Sequence, residues 1–341
     1  MNEVLEKLRF AVSDFVLAPE KTIFFPPFKG NVFRGALGKA LKDLTCAFKT
    51  KDCKECLIRD KCLYAQVFES HNTGSNTILK NIEKAPHPFI IFVPDKYRLE
   101  YPENDKIHFF LTLVGSAVEY ISYFILAFEQ IGKRGIGKNR SPFAVERVQV
   151  SGQNIYDPVE KRVQRVFPVF KGSDVLMIDN NEKFCGGSGG GFSKESPDRR
   201  RQKQNNVKHE TLKIILETPM RIKFGGQFQK HLTFEMLAVN LLRRLQLLSA
   251  FYCGGPDLVD LSALIDKARR VKKAGENIFW QHQDRFSYRQ EKNISMGGVS
   301  GWIEFAGEAA EFIPFLKLAE HLHIGKGTGL GLGKIGVDVL R

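Results

Sequence analysis

The sequence predicts an α+β chain in which one order of elements, βαββαβ, is used twice. Three observations carry this. Two stretches match in kind, GSAVEYISYFILAFEQIGKRGIGK from Gly115 and GEAAEFIPFLKLAEHLHIGKGTGLGLGK from Gly307, each an aromatic-rich helix running into a Gly/Lys loop. Each loop runs into a strand of alternating polarity, FAVERVQV from Phe143 and KIGVDVL from Lys334. Each half also opens alike, on a strand, a turn and an amphipathic helix. A four-stranded antiparallel sheet backed by two helices satisfies that order, so the expected architecture is two tandem ferredoxin-like domains, the scaffold that RNA-recognition modules also use.

Along the chain, LRFAVS from Leu8 alternates as the first strand, and Val32–Leu44 carries apolar residues at helical spacing. FIIFV from Phe89 and KIHFFLTLV from Lys106 read as the next two strands, and the repeat motif completes the unit. Residues 155–180 read as a β-excursion with runs at Arg165–Phe170 and Asp174–Ile178. The segment Cys185–Lys208 is rich in Gly, Ser and charge and has almost nothing to bury, so it reads as a linker. In the second half TLKIILET from Thr211, the helix Phe234–Phe251, FSYRQ from Phe286 and VSGWIEF from Val299 fill the same slots. The expected domains are residues 1–182 with a Cys insertion at 46–69, a basic linker at 183–208, and residues 209–341 with a glycine loop at 325–333.

A chain of 341 residues with 43% apolar content has material for two cores at roughly 150 residues each. The 51 Lys and Arg against 38 Asp and Glu leave a net charge of +13, which points to a polyanionic partner: RNA, DNA or an acidic membrane. Residues 180–208 hold seven basic and three acidic side chains, so only +4 of that excess lies in this stretch around the linker. Six Cys are too few for a disulfide scaffold, and Met1–Phe10 lacks a signal-peptide apolar core. The apolar stretch Tyr120–Phe128 stops well short of the ~20 residues a membrane span needs. A cytoplasmic protein with no membrane partner is the expectation.

The glycine loop GKGTGLGLGK at Gly325–Lys334 has the wrong polarity for a nucleotide cofactor. Phosphate-binding glycine loops follow a strand and open a helix, whereas here the helix comes first. A Walker A spacing also fails, because position 328 is Thr and Lys334 is followed by Ile335. Alternate glycines at Gly325, Gly327, Gly329, Gly331 and Gly333 instead suggest exposed backbone N–H groups, with Lys326 and Lys334 adding charge for a nucleic-acid backbone.

These features together carry a resemblance. The duplicated order, the loop HIGKGTGLGLGK, the segment FPPFKGNVFRGALG before and into the first helix, and the pair SYRQ and MGGVSGWIEF resemble the CRISPR repeat-RNA processing endoribonucleases of the RAMP superfamily over nearly the whole chain. The resemblance implies RNA as the partner, CRISPR repeat RNA in its precursor transcript, and a possible place in a CRISPR effector complex. It also implies metal-independent cleavage, in which the ribose 2′-OH attacks the adjacent phosphate and leaves a 2′,3′-cyclic phosphate. Such a step needs a base, an acid and cations for the phosphorane. In many members of the family the acting His lies on the first helix, but Val32–Leu44 contains none. Histidine suits both proton roles, and His323 and His321, just before the glycine loop, are the leading candidates. His71, His87 and His282 stay open. Arg34 and Lys39 on the first helix, and Arg285, Ser287 and Arg289 on one face of an expected strand, are candidate RNA contacts beside the loop. The missing first-helix His equally suits a catalytically inert subunit that only holds guide RNA. A zinc-dependent DNA-binding regulator has weaker support, because no helix-turn-helix is visible.

Cys46, Cys53, Cys56 and Cys62 read C-x6-C-x2-C-x5-C with Lys49, Lys51, Lys54, Arg59 and Lys61 between them. Four thiols in this spacing suit a structural tetrahedral Zn site, with an iron–sulfur cluster or free thiols as alternatives. The insertion with its continuation CLYAQVFE resembles one subgroup of the same enzymes. Cys185 and Cys253 read as ordinary residues.

Overall fold

The computed structural model describes residues 1–48, 53, 55–69, 85–177, 211–256, 258–287 and 292–340. After a short helix α1 (Asn2–Lys7), strand β1 (Arg9–Pro19) is followed by α2 (Lys29–Thr45), β2 (Phe89–Phe92), β3 (Ile107–Val114), α3 (Ile121–Arg134) and β4 (Phe143–Val150). The strands form an antiparallel sheet in the order β2-β3-β1-β4, with Phe15 opposite Phe109 on one side and Val148 on the other. Strand, helix, two strands, helix, strand is the predicted ferredoxin-like unit.

The second half repeats it as β5 (Thr211–Met220), α4 (Phe234–Tyr252), α5 (Ser262–Arg270), β6 (Lys272–Gln281), β7 (Gly298–Ala306), α6 (Ile313–Leu322) and β8 (Ile335–Leu340). Its sheet order is β6-β7-β5-β8, again antiparallel, with Ile214 between Ile303 and Val337. Thr233 caps α4 by accepting from the Met236 N–H at 3.3 Å. Helix α3 ends at Gly135, whose φ of 79° releases the chain into the following loop.

The faces of the first sheet have different covers. Phe15, Leu17, Phe89, Phe109 and Leu111 face α2 and α3, where Phe33, Leu37, Phe124 and Phe128 close a core of packed aromatic rings. Phe10, Val12, Ile90 and Val114 belong instead to the core of the second half, together with Leu241, Leu245, Leu316 and Ala319 of α4 and α6. The helices of the second half therefore lie between the two sheets. Phe10 stacks on His321 at 6.0 Å, Phe92 meets the His323 ring at 5.9 Å, and Ser249 on α4 donates to the Val4 carbonyl at 3.2 Å. Cys253 packs where the Arg9 N–H meets its sulfur at 3.5 Å, and burial raises its thiol pKa.

Two sequence expectations are corrected. FSYRQ is not the second strand of the second sheet; that strand is Lys272–Gln281, whose opening residues KKAGEN are mostly exposed and give no alternating signal. Asp284–Ser287 pairs with Lys292–Ser295 in a separate hairpin. The run at Asp174–Ile178 is not a strand: Gly172–Met177 is a 3-10 turn, and only Phe170–Lys171 bridges to Arg9 and Phe10. Helices α1 and α5 were not anticipated. The linker 183–208, Cys185, His71 and Arg289 lie outside the described residues, as do the side chains of Arg285 and Ser287. Among the described residues no helix is long and apolar enough to cross a membrane.

Candidate nucleic-acid interface

A groove of about 1300 Å³ runs between the two halves. One wall is the start of α2 with the segments Phe92–Tyr97 and Arg134–Arg140; the other is Glu217–Pro219, Gln281–Asp284 and Leu330–Leu332. Seven cationic side chains line it, Lys29, Arg34, Lys39 and Lys96 with Arg134, Lys138 and Arg140, against Glu69, Glu217 and Asp284. That excess gives the groove the sign a polyanion requires. Lys39, Lys138 and Arg140 are exposed, while Arg134 is spent on Asp43 at 2.5 Å.

Arg34, an expected RNA contact, is half-buried beside the groove. It lies 5.4 Å from the centre of the Phe68 ring and donates to His87 Nε2 at 3.0 Å. A guanidinium can only donate, so His87 accepts on Nε2 and its Nδ1–H donates to the Val67 carbonyl at 3.3 Å. The imidazole is thereby held in one tautomer. Lys29, which sequence reasoning missed, is buried at the start of α2 and donates to the Asp95 carbonyl. Desolvation lowers its pKa, with Asp95 opposing.

The glycine loop differs from the exposed cradle that alternate glycines suggested. Residues 328–333 are buried against the first half. A Cβ on Gly30 of α2 would stand 2.0 Å from the Leu330 carbonyl oxygen, and one on Gly331, at φ 82°, would stand 2.5 Å from the Ile91 carbonyl oxygen. These glycines let two backbones touch. The loop N–H groups are largely spent inside the protein: Lys326 on the Arg221 carbonyl, Leu330 on Gly327, Gly331 on Thr328 and Gly333 on Pro219, at 2.8–3.1 Å. Only Gly325–Gly327 reaches the surface, with Lys326 exposed and its ammonium depressed by partial burial and by Arg243, Lys223 and Arg244. A Cβ on Gly329 would meet His87 and Arg34 at 3.6–3.7 Å.

Lys334 and the two candidate histidines serve the end of α6. Lys334 Nζ donates to the Glu320 carbonyl at 2.7 Å, and Arg244 Nε donates to Leu322 at 2.9 Å, satisfying carbonyls left open at the helix terminus. His323 follows with φ 56° and 2% exposure, its Nδ1 3.1 Å from the Leu332 carbonyl. Burial, then the charge of Lys334, pushes its pKa well below the usual value. His321 is pushed down to about 3 by burial and by Lys334 and Lys317. An imidazole with that pKa is neutral at pH 7 and is a poor acid for a leaving oxygen, and neither ring lines the groove. The expectation that these residues would face an RNA held by the loop is thus corrected: they pack the junction between the halves. Of the described histidines, His282 alone lines the groove, and it is exposed.

The four insertion cysteines all line one cavity of about 10 Å³, room for a single atom-sized occupant. Burial raises the Cys53 thiol pKa, Lys42 opposes, and Cys46 and Cys62 are near enough to add to the rise. Even so, among the described residues no three Cys, His, Asp or Glu side chains come together as a metal ligand set.

Comparison with known proteins follows the same division into halves. Residues 214–335 match the family of the CRISPR-associated endoribonuclease Cas6. The second half of the chain is similar to a Cas6 domain. Residues 8–167 match a second family, AF_1859_N, described as an N-terminal domain. An uncharacterized protein of Archaeoglobus fulgidus is 26% identical over 134 residues, which is 39% of this chain and 44% of that protein, so the match spans less than half of the relative. Among solved structures, a partial Cas6-RT-Cas1–Cas2 complex aligns with 98% of this chain and 46% of its own, at TM-score 0.58 and 11% identity. A Thermus thermophilus Cas6 in a product complex aligns with 97% of this chain and 99% of its own, at TM-score 0.52 and 13% identity. At these identities the likeness is one of fold.

Proposed function

We propose that this chain binds CRISPR repeat RNA in the groove between its halves and cuts it by transesterification. The observation that carries the proposal is the groove itself, lined along one wall by seven cationic side chains and holding on the other one exposed imidazole, His282. In the cut, the 2′-oxygen loses its proton and bonds to phosphorus while the bond from phosphorus to the 5′-oxygen breaks. The 5′-oxygen takes up a proton, leaving a 2′,3′-cyclic phosphate and a 5′-hydroxyl. His282 is suited to one of the two proton transfers, and the exposed Lys138 and Arg140 to the charge that gathers on the phosphorane.

The test is single-turnover cleavage of repeat RNA. Cleavage that persists with chelator and stops when the scissile ribose is 2′-deoxy supports the chemistry; cleavage of the deoxy substrate overturns it. His282→Ala should lower the rate by about 10²–10⁴ with RNA affinity kept. An unchanged rate removes His282.

A second reading has its own support. Helix α2 carries no His, and His87 is already tied to Arg34 and Val67. These features favour an inert subunit that binds guide RNA without cutting it, and intact repeat RNA after incubation with a binding-competent protein would select it. The product complex of the Thermus Cas6 favours RNA as ligand, and the Cas6-RT-Cas1–Cas2 assembly favours other CRISPR proteins as partners. For the insertion, four thiols around one cavity favour a structural zinc held by Cys46, Cys53, Cys56 and Cys62, whose chemistry would be to pin the insertion beside α2.

A further inference from the structure

Tyr97 stands out on the groove wall because it is 86% exposed, an unusual setting for a large aromatic ring on a loop that is otherwise tied down. Its neighbours are fixed from both halves. Buried Lys29 donates to the Asp95 carbonyl, and the Tyr101 hydroxyl donates to Asp95 Oδ2 at 3.3 Å. Lys96 Nζ reaches across the groove to Gln281 Oε1 at 3.2 Å, and that same oxygen accepts from Ser300 Oγ at 2.9 Å. Lys96 also sits 5.3 Å from the centre of the Tyr97 ring. The loop is thus pinned while its ring is left uncovered, among cations, at the edge of a basic groove.

We infer that Tyr97 is a base-stacking residue that holds one unpaired nucleobase of a single-stranded segment of RNA as its backbone follows the groove. The inference rests on the RNA-binding part of the function proposed above and is independent of cleavage. A nucleobase offers a flat apolar face that a fixed aromatic ring can cover without reading its edge, so such contacts hold single strands with little sequence preference. Because Lys29, Asp95 and Gln281 already order the loop, little freedom is lost when the base arrives. The flanking phosphates would meet Lys96 on the same wall and exposed Lys138 and Arg140 on the adjacent loop.

The experiment measures binding of repeat RNA by fluorescence anisotropy across a salt series for wild type, Tyr97→Ala, Tyr97→Phe and Tyr97→Trp. Stacking predicts a loss of about 5- to 150-fold for Tyr97→Ala. Phe and Trp should retain wild-type affinity, and the salt slope should not change, because no phosphate contact is removed. A scan of abasic sites along the RNA should find one nucleotide whose base no longer matters in Tyr97→Ala. Equal affinity of Tyr97→Ala and wild type, loss in Tyr97→Phe as large as in Tyr97→Ala, or a reduced salt slope would each overturn the inference. Failure of the wild type to bind any RNA would instead overturn the proposed function, which keeps the two failures apart.

Discussion

His321 and Tyr97 carry opposite lessons about a single side chain. His321 lies on the apolar junction, stacked on Phe10, and its pKa of about 3 records what burial costs a charged imidazole. In the unfolded chain the same group titrates near 6.5, so between about pH 6.5 and pH 3 the unfolded state binds more protons. The stability linked to neutral His321 is therefore complete above pH 6.5 and is lost as pH falls toward 3; His323, also depressed, acts in the same direction. Urea titrations from pH 7 to pH 4 should show the midpoint falling, and His321→Leu should flatten that fall. An undiminished slope in the variant would assign the pH dependence to other groups. Both histidines were visible in the sequence as the end of a helix before a glycine loop. What no spacing could reveal was that the face they occupy abuts the first sheet. Tyr97 was invisible for the converse reason: one aromatic in an irregular loop has no period, and only the fold sets it on a groove.

At the scale of elements, alternation, apolar runs and helical spacing located β1–β5, β7 and β8 and the helices α2, α3, α4 and α6, because each buries at least one face. Strand β6 escaped because it is an edge strand, paired only to β7 and exposed along its first residues, so burial imposes little pattern on it. The Cys insertion is an element whose character depends on what it binds. If zinc holds it, protein purified without oxygen should contain about one equivalent of metal, and removal of that metal should loosen the insertion as read by amide hydrogen exchange at residues 55–69 while the sheets keep their protection. Metal-free protein with the same protection in the insertion would leave four thiols with a packing role alone.

For the molecule as a whole, the glycine loop does more joining than its composition advertised. Its buried stretch lies on α2 and β2, and Thr218 at the end of β5 donates to the Gly331 carbonyl at 2.8 Å, so one short turn links both sheets. Gly331→Ala places a side chain at φ 82° and drives a Cβ toward the Ile91 carbonyl oxygen. The left-handed backbone alone costs about 1–2 kcal/mol, and the contact adds to it. A lowered urea midpoint is the expected result, with RNA affinity falling in parallel as the groove walls shift; an unchanged midpoint would show that the contact between the halves is slack. The net charge of +13 likewise acquires a location, since seven of the basic residues line the groove. By itself the sequence determined the duplicated βαββαβ order, the basic character and the cysteine cluster, because periodicity, charge and spacing are local properties of a chain. The tertiary structure decided that His323 is sealed and His321 packed on Phe10, that the glycines join two halves and that His282 and Tyr97 share a groove, because those facts depend on which surfaces of distant segments meet and exclude water.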